Sequence, residues 1–193
     1  MLSRPRNFYE RSFELASFDG AAVHFVLFTL GTMESASDFQ MHARNCLLRL
    51  WGSEIEARSV ASGRIPVPLP VGLGRSNLQA LGDPRKVWVS PKADGERCFL
   101  LFGVKTSGLR MLKHQDGSPQ TFAALVDRRG VATDVSKRFS RAPQRLFAGT
   151  LLDCEKMEDG SLLAFDAVAI CGYSVRNKTY GEARVRMKRE VDG

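Results

Sequence analysis

A short segment near the middle of the chain carries residue types and a spacing that suit covalent chemistry at a lysine. Residues 92–97 read KADGER, which is the pattern K-x-D-G-x-R. A lysine attacks phosphorus only when its ammonium loses a proton near neutral pH, which requires nearby cations, a metal or burial. The pattern therefore predicts Lys92 as a nucleophile in a site built by other residues. The alternative is a charged hairpin whose side chains are solvated.

Two acids follow at the end of a second apolar segment. Residues 150–155 read TLLDCE, so Asp153 and Glu155 project from the same face of an extended strand. Carboxylates in this arrangement hold Mg²⁺, accept hydrogen bonds from a ribose, or keep a lysine in place. The alternative is an edge strand with a solvated polar end.

A third segment places one acid inside a long apolar run. Residues 162–170 read LLAFDAVAI, a composition typical of a central strand covered on both faces. Because a bare buried carboxylate is costly, Asp166 is expected to be paired or hydrogen-bonded.

The elements around the lysine explain how these groups can meet. Apolar stretches at 87–89 and 98–102 predict consecutive strands, joined by a tight connection in which Gly95 allows a backbone conformation that a side chain would resist. Lys92 then stands at the end of one strand and Arg97 at the start of the next. Both are expected to face one cleft.

The order of these segments resembles the superfamily of mRNA capping guanylyltransferases and ATP-dependent polynucleotide ligases, and more closely its capping branch. The resemblance runs from Leu73 to the end of the chain. It rests on the sequences GRSNLQAL, VWVSPKADGERCFLLF, ALVDRRG, TLLDCE and LLAFDAVAICG. It implies an α+β nucleotidyltransferase domain with mixed antiparallel sheets forming a nucleotide cleft.

The resemblance also implies roles for individual residues. Lys92 would attack the α-phosphate of GTP and carry GMP to the diphosphate 5′ end of RNA, with Mg²⁺ or Mn²⁺ as cofactor. Arg97 would contact the ribose, and Phe165 would stack on the purine, as bases do on aromatic faces. The remaining implied assignments are nucleotide binding by Asp94, Gly95 and Glu155, metal binding by Asp153 and Glu155, and structural support by Asp127, Arg128 and Asp166.

The chain departs from the family pattern in two ways. Cys154 stands where the family has glycine between the two acids, and its side chain is expected to point away from them. The sequence also stops at Gly193, before the family's later acidic motif, lysine pair and oligonucleotide-binding barrel. Phosphoryl transfer depends on such cations. Two further readings therefore stay open: a truncated enzyme that is inactive alone, or a non-catalytic nucleotide- or RNA-binding remnant. A third is an ATP-dependent ligase that forms lysyl-AMP.

The sequence before residue 75 indicates a segment separate from the nucleotidyltransferase domain. After Ser37 and Asp38, which offer a helix N-cap, apolar residues recur at helical spacing from Phe39 to Leu50. A strand is predicted at 54–60, followed by a proline-rich connector. We therefore divide the chain into an N-terminal segment (1–62), a linker (63–74) and a partial nucleotidyltransferase domain (75–193). The sequence Glu54-Ile55-Glu56 is similar to a strand end of tunnel-shaped RNA triphosphatases, and an ordinary surface strand explains it equally well.

Composition and charge agree with this interpretation. The 193 residues include 28 Lys plus Arg and 21 Asp plus Glu, a formal charge of +7 that suits a polyanionic partner such as nucleotide or RNA. The basic residues at 176–189 are expected first to be a solvated helix face and second to contact RNA. The four cysteines form no C-x-x-C pair, which is typical of reduced intracellular proteins.

The apolar run at 21–30 is too short to span a bilayer, so no membrane partner is expected. The resemblance implies the nucleus or a viral cytoplasmic factory, with a possible triphosphatase or methyltransferase partner.

Overall fold

An antiparallel β-sheet forms the framework of the part of the chain that can be described. A computed structural model of the protein describes residues 35–50, 93–108 and 110–191, together with Ser59, Ile65, Arg75 and Gly82. Within this part, six strands form a sheet in the order β5-β4-β1-β6-β7-β8, and β2 pairs with β3. The strands are β1 (Glu96–Val104), β2 (Thr106–Ser107), β3 (Arg110–Met111), β4 (Thr121–Val126), β5 (Ala132–Asp134), β6 (Thr150–Lys156), β7 (Leu162–Ile170) and β8 (Tyr173–Ser174).

Both faces of the sheet are covered, because the central strands are apolar on both sides. Residues 98–103 of β1 and 150–154 of β6 are continuously buried, as in strands that lie between two layers. Helix α1 (Ala36–Leu50) packs on one face. Helix α2 (Tyr180–Val191) and a 3₁₀ helix (Gln144–Ala148) pack on the other. The fold is therefore α+β, as predicted.

Helix α1 uses the apolar stripe that the sequence predicts. Phe39, Ala43, Cys46 and Leu47 are buried, and the Phe39 ring meets Phe122 of β4 edge to face at 5.6 Å between centroids. The helix begins at Ala36, so the predicted N-cap is wrong. Ser37 and Asp38 lie in the first turn, where the charge of Asp38 interacts favourably with the helix dipole.

A side-chain amide ties α1 to the far edge of the sheet. Gln40 Nε2 donates to the carbonyl oxygen of Gly130 at 2.6 Å, and Gln40 Oε1 accepts from the backbone N–H of Ala132 at 2.8 Å. This amide pairs with the β4–β5 turn much as a neighbouring strand would. It fixes the position of α1 over the sheet.

Helix α2 starts at a capping box. Thr179 Oγ1 accepts from the N–H of Glu182 at 3.4 Å, and Glu182 Oε2 accepts from the N–H of Thr179 at 2.8 Å, so two donors at the helix start are satisfied. Ala183 and Met187 then pack onto the cluster that contains Ile170 of β7. This helix shields the sheet face opposite α1.

The structure corrects two strand predictions. The edge-strand alternative for 150–155 is wrong, because β6 lies between β1 and β7. The prediction that 162–170 is covered on both faces holds only for its last four residues, since Leu163 is 49% exposed. In the first half of the strand, Leu162 and Ala164 are only partly buried against the cluster that contains Ala183 of α2, whereas Ala167 and Ile170 are core residues of it.

Several predictions fall on residues outside the described ranges. These include the strand at 87–89, most of the linker and Glu54-Ile55-Glu56. Ser59 is described and helical, so the predicted strand at 54–60 is wrong at that position. The domain boundaries stay predictions, and residues 36–193 cluster as one unit that includes α1.

The described residues contain free cysteines and helices too short or too polar to cross a membrane. All four cysteines are free thiols, three buried and Cys171 half-buried. Among the described helices, none combines the length and apolar character needed to cross a membrane.

Candidate nucleotide-binding site

The register of β1 with β6 brings the predicted site residues onto one face of the sheet. Arg97 lies opposite Glu155, and Phe99 lies opposite Asp153. Asp153 in turn lies opposite Asp166 of β7. Because paired residues and alternate residues along a strand share a face, one guanidinium and three carboxylates meet at the start of β1. This is the face that α1 covers farther along β1, where Gly103 approaches Cys46.

Arg97 and Asp153 form a two-pronged ion pair across these strands. Arg97 Nε donates to Asp153 Oδ1 at 2.9 Å, and Nη2 donates to Oδ2 at 2.5 Å. Their side chains are only 12% and 7% exposed, and the guanidinium carbon lies 5.8 Å from the centre of the Phe99 ring. The hydrogen bonds that Arg97 donates to Asp153, more than any other influence, raise the pKa of Arg97. The paired geometry holds the guanidinium in one orientation.

Glu155 contacts the segment that contains the predicted nucleophile. Its Oε1 accepts from the backbone N–H of Gly95 at 3.3 Å. A Cβ atom at Gly95 would collide with the carbonyl oxygen of Lys156 and lie 2.9 Å from Glu155 Cγ. Gly95 is therefore required for close approach to β6, and not only for a tight turn.

Asp166 is half-buried beside Asp153 and Arg97. Burial raises its pKa, the negative charge of Asp153 adds to this increase, and Arg97 opposes it. Its Oδ1 accepts from the N–H of Ala167 at 2.8 Å. One guanidinium against three carboxylates gives a formal charge of −2 when all are ionised. The site therefore favours a further cation or hydroxyl donors.

A β-bulge in β7 sets the position of Phe165. Asp153 pairs with Asp166 while the next residue, Cys154, pairs with Ala164, so Phe165 is an extra residue without a partner. Bulges of this kind redirect a side chain and often occur beside active sites. The Phe165 side chain is partly exposed next to Asp166.

The other predicted residues have different surroundings. Lys92 lies outside the described residues, two positions before Asp94, which is exposed. Asp127 organises the β4–β5 turn, because its Oδ1 accepts from the N–H groups of Arg129 and Val131, each at 2.8 Å. Arg128 is exposed in that turn. The turn lies at the same end of the sheet as Arg97, since Val126 pairs with Phe99.

The described residues do not form a complete metal site. No group of three or more His, Cys, Asp or Glu among them could hold a metal ion. Both oxygens of Asp153 are already bonded to Arg97, whereas Glu155 makes one longer bond to a backbone N–H. Mg²⁺ is commonly held by one or two carboxylates together with substrate phosphates, and Glu155 suits that mode better than Asp153. Metal binding by Asp153 and Glu155 stays a prediction.

Two contacts between β1 and β6 were not predicted from the sequence. One is the Arg97–Asp153 pair, and the other is the direct opposition of Cys98 and Cys154. Cys154 belongs to the cluster on the opposite face, so the expectation that it points away from the acids is confirmed. Burial raises the pKa of the Cys154 thiol to about 12, which makes it a packing residue and not a nucleophile. The sequence held no signal for either contact, because both depend on the register of β1 with β6.

Comparison with known proteins agrees with this geometry. The family described as the mRNA capping enzyme, catalytic domain, matches residues 30–193. A search of curated proteins found no match. The match spans helix α1, the six-stranded sheet and helix α2, and it includes Lys92 and each acid of the site. The chain therefore belongs to the mRNA capping enzyme family, whose catalytic domain is a nucleotidyltransferase.

Proposed function

We propose that this member of the capping family transfers GMP from GTP to RNA through a covalent bond to Lys92. One observation carries the proposal: Arg97, Asp153, Glu155 and Asp166 meet beside Gly95, three residues after that lysine. A guanidinium and carboxylates on one face of a sheet suit the binding of a ribose and of a phosphate. Family membership implies GTP and the RNA 5′ end as substrates.

The proposed reaction has two displacements at the same phosphorus. The unprotonated Nζ of Lys92 bonds to the α-phosphorus of GTP, and the bond to the bridging oxygen of the β-phosphate breaks, so pyrophosphate leaves with the electron pair. The nitrogen releases a proton to solvent. An oxygen of the terminal phosphate of diphosphate-ended RNA then bonds to the same phosphorus. The P–N bond breaks, and the lysine nitrogen takes up a proton again.

The described residues have separate tasks in this scheme. Asp153 orients Arg97, whose guanidinium contacts the ribose in this scheme. Glu155 holds the backbone of the lysine segment through Gly95 and lies on the same face of the sheet as Arg97. Phe165 offers a partly exposed ring at the bulge for a purine. Asp94 contributes to nucleotide binding from the loop before β1.

Charge explains why the lysine needs help to react. Three carboxylates near an ammonium favour its charged form, which cannot attack phosphorus. Mg²⁺ or Mn²⁺, bound with the nucleotide phosphates, would supply positive charge that lowers the lysine pKa. The partner proteins in this scheme are a triphosphatase, which makes the diphosphate end, and a methyltransferase.

Nucleotide choice tests the proposal against its rivals. Purified chain is incubated separately with labelled GTP and labelled ATP in the presence of Mg²⁺ or Mn²⁺. We expect a covalent adduct with GTP. An adduct with ATP alone would contradict the assignment and indicate a ligase-type enzyme. No adduct with either nucleotide, combined with binding in a titration, would indicate a non-catalytic binding module.

A further inference from the structure

A basic groove lies along α2, on the sheet face opposite Arg97 and Asp153. Its volume is about 500 Å³, and its lining includes Lys178, Val185, Arg186 and Arg189. We call it the α2 groove. Ala183 of α2 packs in the cluster that contains Cys98, whereas Phe99, beneath Arg97, belongs to the cluster of α1. The α2 groove is thus separate from the candidate nucleotide site.

The charge of this surface is strongly positive. Residues 176–190 contain six basic residues (Arg176, Lys178, Arg184, Arg186, Lys188 and Arg189) and two acids, so six minus two gives a formal charge of +4. Both acids are engaged within the fold. Glu182 accepts hydrogen bonds from Thr179 at the helix start, and Glu190 pairs with Arg145 and Arg189. The net positive charge of this segment favours a polyanion.

Aromatic rings are interleaved with these cations. The guanidinium carbon of Arg186 lies 4.5 Å from the ring centre of Tyr173, and Tyr173 is 63% exposed. Arg184 stacks on Tyr180 at 5.8 Å and donates to its hydroxyl at 2.6 Å. Within the described part of the chain, Arg186 Nε is buried without a hydrogen-bond partner. The stacking on Tyr173 holds the Arg186 guanidinium against an exposed aromatic ring.

The aromatic rings among these cations indicate which kind of polyanion the surface would bind. Unpaired bases stack on aromatic rings and on guanidinium planes, while their phosphates bind lysine and arginine. An acidic peptide uses the charges alone, and a duplex hides its base faces. We propose that the α2 groove binds single-stranded RNA, with phosphates at Lys178 and Arg189 and a base against Tyr173 and Arg186. The choice of RNA rests on the proposed function, and the groove would hold the chain beyond the reacting 5′ end.

The test measures binding of a 5′-hydroxyl single-stranded RNA to the full chain by fluorescence anisotropy, without nucleotide. This RNA cannot accept GMP, so the result is independent of adduct formation at Lys92. The double variant Lys178→Ala, Arg189→Ala should bind more weakly. The slope of log affinity against log salt should fall by about 1.4, or about 0.7 for each lost phosphate contact. The matched control, Arg110→Ala with Lys113→Ala, removes the same two charges from exposed positions on and beside β3 and should keep the wild-type slope.

A second variant tests the stacking. Tyr173→Ala should weaken binding roughly 5- to 150-fold, which corresponds to one stacked base, and Tyr173→Phe should retain it. Lys178→Glu, a single change at an exposed position, keeps the test decisive if the double variant does not fold, and it should also weaken binding.

The inference is overturned if the groove and control variants lose affinity equally, or if neither changes it. It is also overturned if duplex RNA or inorganic polyphosphate binds as tightly as the single strand, with Tyr173→Ala without effect. Those results would indicate general attraction of anions. An adduct with GTP alongside either result would leave the proposed transfer reaction intact.

Discussion

Arg97 and Asp153 hold each other through two hydrogen bonds across neighbouring strands, at 2.9 Å and 2.5 Å, with both side chains largely buried. They are diagonal neighbours, because Arg97 faces Glu155 and Asp153 faces Phe99. The pair fixes the guanidinium and neutralises one acid of the site. Glu155 and Asp166 are left as the carboxylates that can respond to a ligand.

Breaking this pair should be costly. Asp153→Ala leaves a largely buried guanidinium without its counter-charge, and we expect the free energy of unfolding to fall by about 3–5 kcal/mol. Urea denaturation measures the change. The control is Glu190→Ala, which removes an ion pair whose arginines are 45% and 69% exposed and should cost no more than about 1 kcal/mol. Equal losses in the two variants would contradict the role given to the Arg97–Asp153 pair.

Asp166 should make stability depend on pH in a defined direction. Its pKa is raised in the folded protein, so the folded state binds the proton more readily than the unfolded chain does. The resulting stabilisation is complete below the unfolded pKa of about 3.9 and is lost as pH rises through the folded pKa. Asp166→Asn should therefore gain stability relative to wild type between pH 4 and pH 7, as measured by thermal unfolding at each pH.

Asp159 provides a control of opposite sign. Hydrogen bonds from Ser161 lower the pKa of this exposed carboxyl, so its stabilisation is present above the unfolded pKa and is lost as pH falls. Asp159→Asn should therefore lose stability relative to wild type as pH rises. Parallel pH profiles for the two variants would refute the assignment of a raised pKa to Asp166.

A methyl group at Gly95 should block the reaction. The added Cβ would meet the Lys156 carbonyl oxygen and Glu155 Cγ, so the segment before β1 must move away from β6. We expect Gly95→Ala to form little or no adduct with labelled GTP. Gly117→Ala is the control: its φ of 82° makes alanine unfavourable, but nothing lies within 4 Å of the new Cβ. That variant should lose roughly 1–2 kcal/mol of stability and keep adduct formation.

The amide of Gln40 should contribute to stability without touching the site. Gln40→Ala removes two hydrogen bonds to the β4–β5 turn, at a net cost of about 1–3 kcal/mol. Gln144→Ala changes an exposed glutamine of the 3₁₀ helix and should be within about 0.5 kcal/mol of wild type. Urea midpoints with unchanged m-values would measure this difference. Indistinguishable midpoints would show that the amide does not secure α1.

The sequence predicts much of the site because strands alternate. Spacing alone places Asp153 and Glu155 on one face, and the apolar runs predict the positions of β1, β6 and β7. The same logic identifies the buried stripe of α1 before its partner is known. Alternation and helical spacing are properties of a single strand or helix. They predict which residues of that element share a face, and for β6 and α1 this prediction is confirmed.

The partner of Arg97 could not be predicted, because it depends on strand register. Register is set by loop lengths and bulges, and the bulge at Phe165 shifts the pairing of β7 by one residue. The packing of α1 on the sheet is likewise a tertiary property, and helical spacing does not reveal it. The start of α1 differed from the prediction because capping residues also occur within the first turn.

The most direct test of the account is to map the covalent adduct. The chain is incubated with GTP and Mg²⁺ or Mn²⁺, digested, and the modified peptide is sequenced by mass spectrometry, in parallel with Lys92→Ala. We predict GMP on Lys92 in the wild type, and no adduct in the variant, which should still bind GTP with modestly reduced affinity. An adduct that persists in Lys92→Ala, or that maps to another residue, would contradict the central claim.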